Sequence, residues 1–294
     1  MSNENRHGLV SRLGVALAAL LLAGCASRAP SGRGETMRPP SGARVVALVP
    51  SFVDDLYAIG AGSQVVAVSE FTDVPQAKAL PRVADFNDVN AEAIVALHPS
   101  VVLGIPAQAR LTAPLRRAGI RVVLLDDDTY EQIFSNLKAV GALTGREREA
   151  AAVVARLQRE TERLRRRSAR FTRRPSVFVV LGSGPIWTAG SGSYITQLIA
   201  LAGGTNAASD LRAPYGEYSA EALLRAQPDM LVTDPPTHLG AVLGEEPWRS
   251  LHAVRLGRVY SVNADVIERP GPNYNAGVRW LQEHLEPLAS GPAP

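Results

Sequence analysis

The chain has 294 residues, with 31 basic against 28 acidic side chains, a net charge of +3, 46% hydrophobic residues and a single cysteine. That near-balance gives no single-sign field of the kind nucleic acid selects, and one cysteine excludes an internal disulfide. The chain opens on a polar, positive start with Arg6, His7 and Arg12, followed by an apolar run over residues 13–22 and two small residues, Ala23 and Gly24. This is the order of a secretory signal, and the apolar run is too short to span a bilayer. Residues 1–24 are therefore read as a signal peptide, and no later apolar run is long enough to cross a membrane.

Leu22-Ala23-Gly24-Cys25 resembles a bacterial lipobox. The resemblance implies cleavage before Cys25, a diacylglycerol on its sulfur and usually a further acyl chain on its amino group. Two or three chains anchor stably where one binds reversibly. The alternative is an ordinary cleaved signal beside an incidental cysteine. Residues 25–43, rich in Ser, Gly, Arg and Pro, read as a lipidated flexible linker. Cleavage leaves 29 basic against 27 acidic residues.

Strand-like and helix-like segments then alternate. ARVVALVPS (43–51) reads as a buried strand and DDLYAIGAG as a helix ending in glycines. QVVAVSE (64–70) is a strand, 90–97 a helix, SVVLGI (100–105) a strand, 111–118 a helix, IRVVLLDDD (120–128) a strand and 130–143 a helix. This is α/β alternation over a mostly parallel sheet. From Arg146 to Thr172 there is no Gly or Pro, and Val154, Leu157, Thr161, Leu164, Ser168 and Phe171 recur at spacings of three and four. One helix over 146–172 follows, either an ordinary surface helix or a connector, since the alternation restarts at SVFVVLGSG (176–184).

The second half echoes the first. VNAEAIVALHPSVVL (89–103) parallels YSAEALLRAQPDMLV (218–232), and IRVVLLD (120–126) parallels GRVYSVN (257–263). Two similar lobes joined by the long helix is the economical reading, with an amino-terminal α/β lobe at 44–145, the connector at 146–172 and a carboxy-terminal α/β lobe at 173–294. A recurring helix–strand unit without wider meaning is the bland one.

RVVALVPSFVDDLYAIGAGSQVVAVSEFTDVP, NAEAIVALHPSVVLG, the connector, YSAEALLRAQPDMLVTD and ADVIERPGPNYNAGVRWL, in that order, are similar to the helical-backbone solute-binding proteins of ABC importers, the group that holds vitamin B12- and ferric-siderophore-binding proteins. The resemblance runs from about Arg44 to about Leu288. It implies an α/β fold of two Rossmann-like lobes bridged by one long rigid helix, a ligand in the interlobe cleft, and no chemistry of its own. It further implies a permease with its ATPase as partners, export to the periplasm or cell envelope, and a monomer. Phe71, Phe86, Trp187 and Tyr215 match aromatic cleft positions, in what read as loops, and Asp265 and Arg269 match polar ones. Flat aromatic walls suit a corrinoid such as cobalamin, with haem or a ferric siderophore as alternatives. Glu92 and Glu221 match the glutamates that dock with permease arginines. A carboxylate in a first helical turn also favours the helix dipole, so capping is the bland alternative; docking is the favoured reading and the two roles are compatible. The family's Pro-Ser-x-Thr-Glu and Pro-Gly-Pro-Arg patterns appear here as Pro50-Ser51-Phe52-Val53-Asp54 and Pro270-Gly271-Pro272-Asn273.

Other classes have less in the sequence. His98, His238, His252 and His284 are scattered, with His98 and His284 read as surface residues, so no metal or intrinsic cofactor is expected. The glycine-rich stretch 182–193 lacks phosphate-loop spacing, and no nucleophile elbow is present. Asp126-Asp127-Asp128 reads as a solvated strand end. An envelope enzyme or a structural lipoprotein is the remaining alternative.

Overall fold

The computed structural model describes residues 42–85, 87–237 and 239–290. The leader, Cys25 and most of the linker lie outside them, as do Phe86 and His238. Residues 38–294 group as one compact unit. Its apolar cores are built from residues at and beyond Ala43, so a chain lacking the leader keeps every core contact described below.

The first sheet has five parallel strands in the order β3-β2-β1-β4-β5: β1 (Val45–Ala47), β2 (Val65–Ser69), β3 (Arg82–Ala84), β4 (Val101–Gly104) and β5 (Val122–Leu124). Helices α1 (Pro50–Ala58), α2 (Ala91–Ala96) and α3 (Ala113–Arg117) are the crossovers. β1 is shorter than the apolar run predicts because Pro50, whose ring presets a helical φ and whose missing N–H costs nothing at the first position, starts α1 at once.

The second sheet runs β11-β10-β6-β7-β9: β6 (Ser176–Ser183), β7 (Ile186–Ala189), β9 (Tyr215–Glu217), β10 (Met230–Thr233) and β11 (Val259–Ser261), with β8 (Thr205–Asn206) beside the start of β6. β6, β10 and β11 are parallel, and β7 and β9 are antiparallel. The sequence echo is structural: α2-β4 matches α7 (Ala220–Ala226)-β10, and β5 and β11 are the outer strands on that side of their sheets. The lobes diverge on the other side, where the glycine-rich stretch read as a loop contains β7. Gly182, Gly184 and Pro185 punctuate a tight hairpin there and hide its four-residue strand from any periodicity.

Between the sheets lie α4 (Tyr130–Thr144) and α5 (Glu147–Ser168). Gly145 closes α4 in the left-handed region at φ +69°, and a Cβ on Gly141 would stand 2.7 Å from that of Ala150, so the two helices pack backbone to backbone. α5 spans 22 residues, about 33 Å, and stops at Ser168 rather than Thr172. It buries Ala150, Val153, Val154, Leu157, Thr161 and Leu164, while Phe171 lies past its end. The carboxy-terminal helix α10 (Tyr274–Ala289) lies along it. Tyr274 bonds the Thr161 hydroxyl, Asn275 donates to the Leu157 carbonyl at 3.2 Å and Gln282 to the Leu164 carbonyl at 2.6 Å. One core runs from Val45, Phe52 and Leu56 through Leu157 and Leu164 to Val179, Leu198 and Leu281, joining the lobes through these helices. His284 is not a bare surface residue: its ring stacks on Trp280 at 4.1 Å and meets Tyr260 at 4.5 Å.

Candidate ligand cleft

The carboxy-terminal ends of β1, β2 and β4 make one wall, as expected where parallel strands release their chains. Gln108 holds this edge, donating to the Leu48 carbonyl at 3.3 Å while its Oε1 accepts from the Ile105 amide at 3.1 Å. A hollow of about 150 Å³ lies here, lined by Leu48, Pro50, Phe71, Ile105 and Gln108 among others. Phe71 is 46% exposed.

The opposite lobe presents Trp187 and Tyr215. They lie on strands, not in loops. Ala189 pairs with Tyr215 across the β7–β9 ladder and shares a strand face with Trp187, two residues away. The two rings are thus diagonal neighbours on one face, within mutual reach. The alternate residue, Thr188, is fully buried and donates its hydroxyl to the Val179 carbonyl at 2.6 Å, which fixes that face outward. Trp187 is 40% and Tyr215 39% exposed. Among the described residues only five large hydrophobic side chains are this exposed, and three of them are Phe71, Trp187 and Tyr215.

The polar residues join the lobes. Arg269, just after α9 (Ala264–Ile267), pairs with Asp265 on its own side, and it reaches Asp54 of α1 at 3.3 Å and Asp73 beyond β2 at 3.0 Å. It is an interlobe bridge and not the local surface pair that spacing alone allows. Carboxylates outnumber it. Burial and the hydrogen bond to Asp73 push Asp265 up to about 6, and the same bond holds Asp73 below its usual range. Burial raises Glu268 to about 7, helped by Asp234 and Asp265. Asp127, read as solvated, is half-buried: its carboxylate accepts from the Ser51 hydroxyl at 3.4 Å, and burial next to Asp128 pushes it up to about 6. Asp55 is 2% exposed, one of its oxygens has no partner, and burial beside Asp54 and Asp127 raises it far above the carboxylate range. Burial and the field of Asp127, Glu268 and Asp128 raise the Tyr215 phenol, which stays a hydrogen-bond donor. Sequence reasoning missed Asp55, Asp73, Asp127 and Glu268, because nothing local distinguishes an acid that folding buries or brings beside a distant residue.

These shifts set a sign for stability against pH. Carboxyls raised in the folded state bind protons more tightly there than in the unfolded chain, whose values lie near 4. The stability they contribute is present below about pH 4 and is lost as pH rises through 6 to 7. Acids lowered by partners, such as Asp73 and Asp229, titrate below that window. The thermal midpoint is expected to fall from about pH 4.5 to 7.5, and Asp127→Asn to raise it at the upper pH while leaving the lower nearly unchanged. Differential scanning calorimetry of both proteins at the two pH values checks this; an Asp127→Asn midpoint that is unchanged at the upper pH contradicts it.

Glu92 and Glu221 occupy the second positions of α2 and α7, and both are exposed. The caps are made by their neighbours: Asn90 accepts from the Ala93 amide at 3.0 Å and Ser219 from the Ala222 amide at 3.1 Å. Val53 is fully buried in the core, so its methyls replace a hydroxyl away from the cleft. Among the described residues no group of three His, Cys, Asp or Glu side chains is placed to hold a metal ion.

Two α/β lobes on a shared helical spine, each with exposed aromatic side chains and joined by the Arg269 bridge, define a two-lobed binding protein. The profile of the periplasmic binding protein family matches residues 45–266, and the chain belongs to that family. A vitamin B12-binding protein of Vibrio cholerae is 30% identical over 257 residues, covering 85% of this chain and 91% of the relative. An uncharacterised ABC transporter substrate-binding lipoprotein of Bacillus subtilis is 28% identical over 253 residues, covering 83% and 80%. Among solved structures, the periplasmic vitamin B12-binding protein of Vibrio cholerae superposes with a TM-score of 0.76 at 28% identity, covering 85% of this chain and 99% of that one. A periplasmic haem-binding protein from Roseiflexus superposes with a TM-score of 0.77 at 25% identity, covering 85% and 100%. Backbone likeness therefore does not separate corrinoid from haem cargo.

Proposed function

We propose that the chain is the lipid-anchored substrate-binding subunit of an ABC importer, and that it takes cobalamin or a related corrinoid into the interlobe cleft. The observation that carries this reading is the exposed aromatic trio, Phe71 on one lobe and Trp187 with Tyr215 on the other, which can sandwich a flat macrocycle. The charge of the rim favours a corrinoid over haem. Asp54, Asp73 and Asp265 surround a single arginine, and Asp127 and Glu268 add two further half-buried acids, an acceptor-rich setting for amide side chains and a repulsive one for propionates. Cys25 carries the anchor and the linker gives the carrier reach.

Calorimetric titration of the leaderless chain with cyanocobalamin, cobinamide, haemin and a ferric siderophore tests the cargo. One-to-one corrinoid binding with weak or absent haemin binding is the expected result. Tight haemin binding with no corrinoid binding sinks the corrinoid assignment.

Glu92 and Glu221 dock the loaded carrier on arginines of the permease. Their exposure, their matched positions on the two repeats and the absence of an ion pair on either among the described residues support this role. The double reversal Glu92→Arg/Glu221→Arg is expected to abolish corrinoid uptake in cells. Corrinoid affinity should hold, and stability should fall by only about 0.3–1 kcal/mol per helix. Uptake at the unsubstituted rate would remove docking from both residues.

A further inference from the structure

The solvent face of α5 carries an arginine ridge. Arg156, Arg159, Arg163, Arg166 and Arg170 follow one another at spacings of three and four, so they line one side of the helix over about 21 Å. All five are exposed, and the helix buries Leu157, Thr161 and Leu164 on its other side. Arg170 lies just past the helix, where the turn continues through its amide bond to the Arg167 carbonyl at 3.1 Å.

The acids of α5 neutralise only one arginine of this ridge. Glu162 pairs with Arg166 at 3.0 Å, and Glu160 is taken by Arg279 of α10. Among the described residues Arg156, Arg159, Arg163 and Arg170 have no ion pair. Like charges at these spacings repel and weaken a helix, so Arg156, Arg159 and Arg163, away from the helix end and unpaired, are not accounted for by the fold. An external polyanion would remove the repulsion. Beside the ridge's end a groove of about 540 Å³ opens, lined by Arg165, Ser168, Phe171, Arg174 and Gln197, among others. Arginine forks match phosphate oxygens two at a time, and a folded basic helix lying flat suits a sheet of phosphates.

We propose that the α5 arginine ridge seats this protein on the anionic phospholipid headgroups of the membrane to which it is tethered. The inference rests on the lipid-anchored reading, which puts the domain within reach of a bilayer, and it gives the carrier a preferred face toward that surface.

The test is sedimentation of the leaderless chain with vesicles of phosphatidylglycerol in phosphatidylcholine and with vesicles of phosphatidylcholine alone, at low and high salt. Binding only to the phosphatidylglycerol vesicles, released by high salt, is the expected result. Arg159→Gln/Arg163→Gln/Arg170→Gln is expected to lose about a hundredfold in that binding with its melting temperature and corrinoid affinity kept. No binding to the anionic vesicles, or equal binding by the triple variant, overturns the ridge. The anchor is read separately by palmitate labelling of the full chain against its Cys25→Ser variant in cells. Unlabelled full chain with salt-sensitive vesicle binding would remove the anchor and leave the ridge as a headgroup surface.

Discussion

Trp187→Ala is expected to weaken corrinoid binding about thirtyfold, and Trp187→Ala/Tyr215→Ala to take it beyond calorimetric detection. The two rings are neighbours on one face of the β7–β9 pair and leave a large apolar surface in water. Covering such a surface with a flat ligand is the main source of affinity in a site of this kind, and truncating a central aromatic anchor costs on the order of 2 kcal/mol or more, which is the thirtyfold loss. The fold should not suffer, because Trp187 is not part of any of the three cores and the β-propensity lost at one exposed position of β7 is under about 1 kcal/mol. Titration of the variants beside circular dichroism melts separates the two effects. Unchanged corrinoid affinity in the double variant would move the ligand off this wall.

The largest loss of stability is expected from Tyr274→Ala. Tyr274 is 1% exposed. Its ring meets Tyr130 and Phe134 at centroid separations of 6.0 and 6.1 Å, and its hydroxyl bonds Thr161 in the middle of α5. Removing it opens a cavity where α4, α5 and α10 meet, at about 3–5 kcal/mol, or roughly 10 °C in melting temperature for a domain of this size. Tyr274→Phe keeps the ring and should cost only about 1–2 kcal/mol. Because one core passes through these helices into both lobes, unfolding is expected as a single transition that moves as a whole. Two separated transitions in the Tyr274→Ala calorimetric trace would contradict that coupling.

The connector was legible because a helix of this length without Gly or Pro leaves few alternatives, and four of the six positions in its apolar stripe are buried. The repeat was legible because a capping residue, an Ala-Glu-Ala start, a proline and a strand recur together. Position along the chain was enough to put Glu92 and Glu221 in first turns. The site was harder. Family likeness pointed to Trp187 and Tyr215, but the hairpin that sets them on one face was hidden by its glycines.

By itself the sequence determined what short-range physics controls: apolar periodicity, helix starts at Asn90 and Ser219, the break before α5 and the arginine spacing along it. Only the tertiary structure decided what depends on distant partners. Arg269 acquires Asp54 from 215 residues away, Ser51 acquires Asp127, and Thr161 acquires Tyr274. A charge in sequence has no fixed energy. Its protonation and its role follow from burial and from the charges that folding brings beside it, and neither is encoded locally.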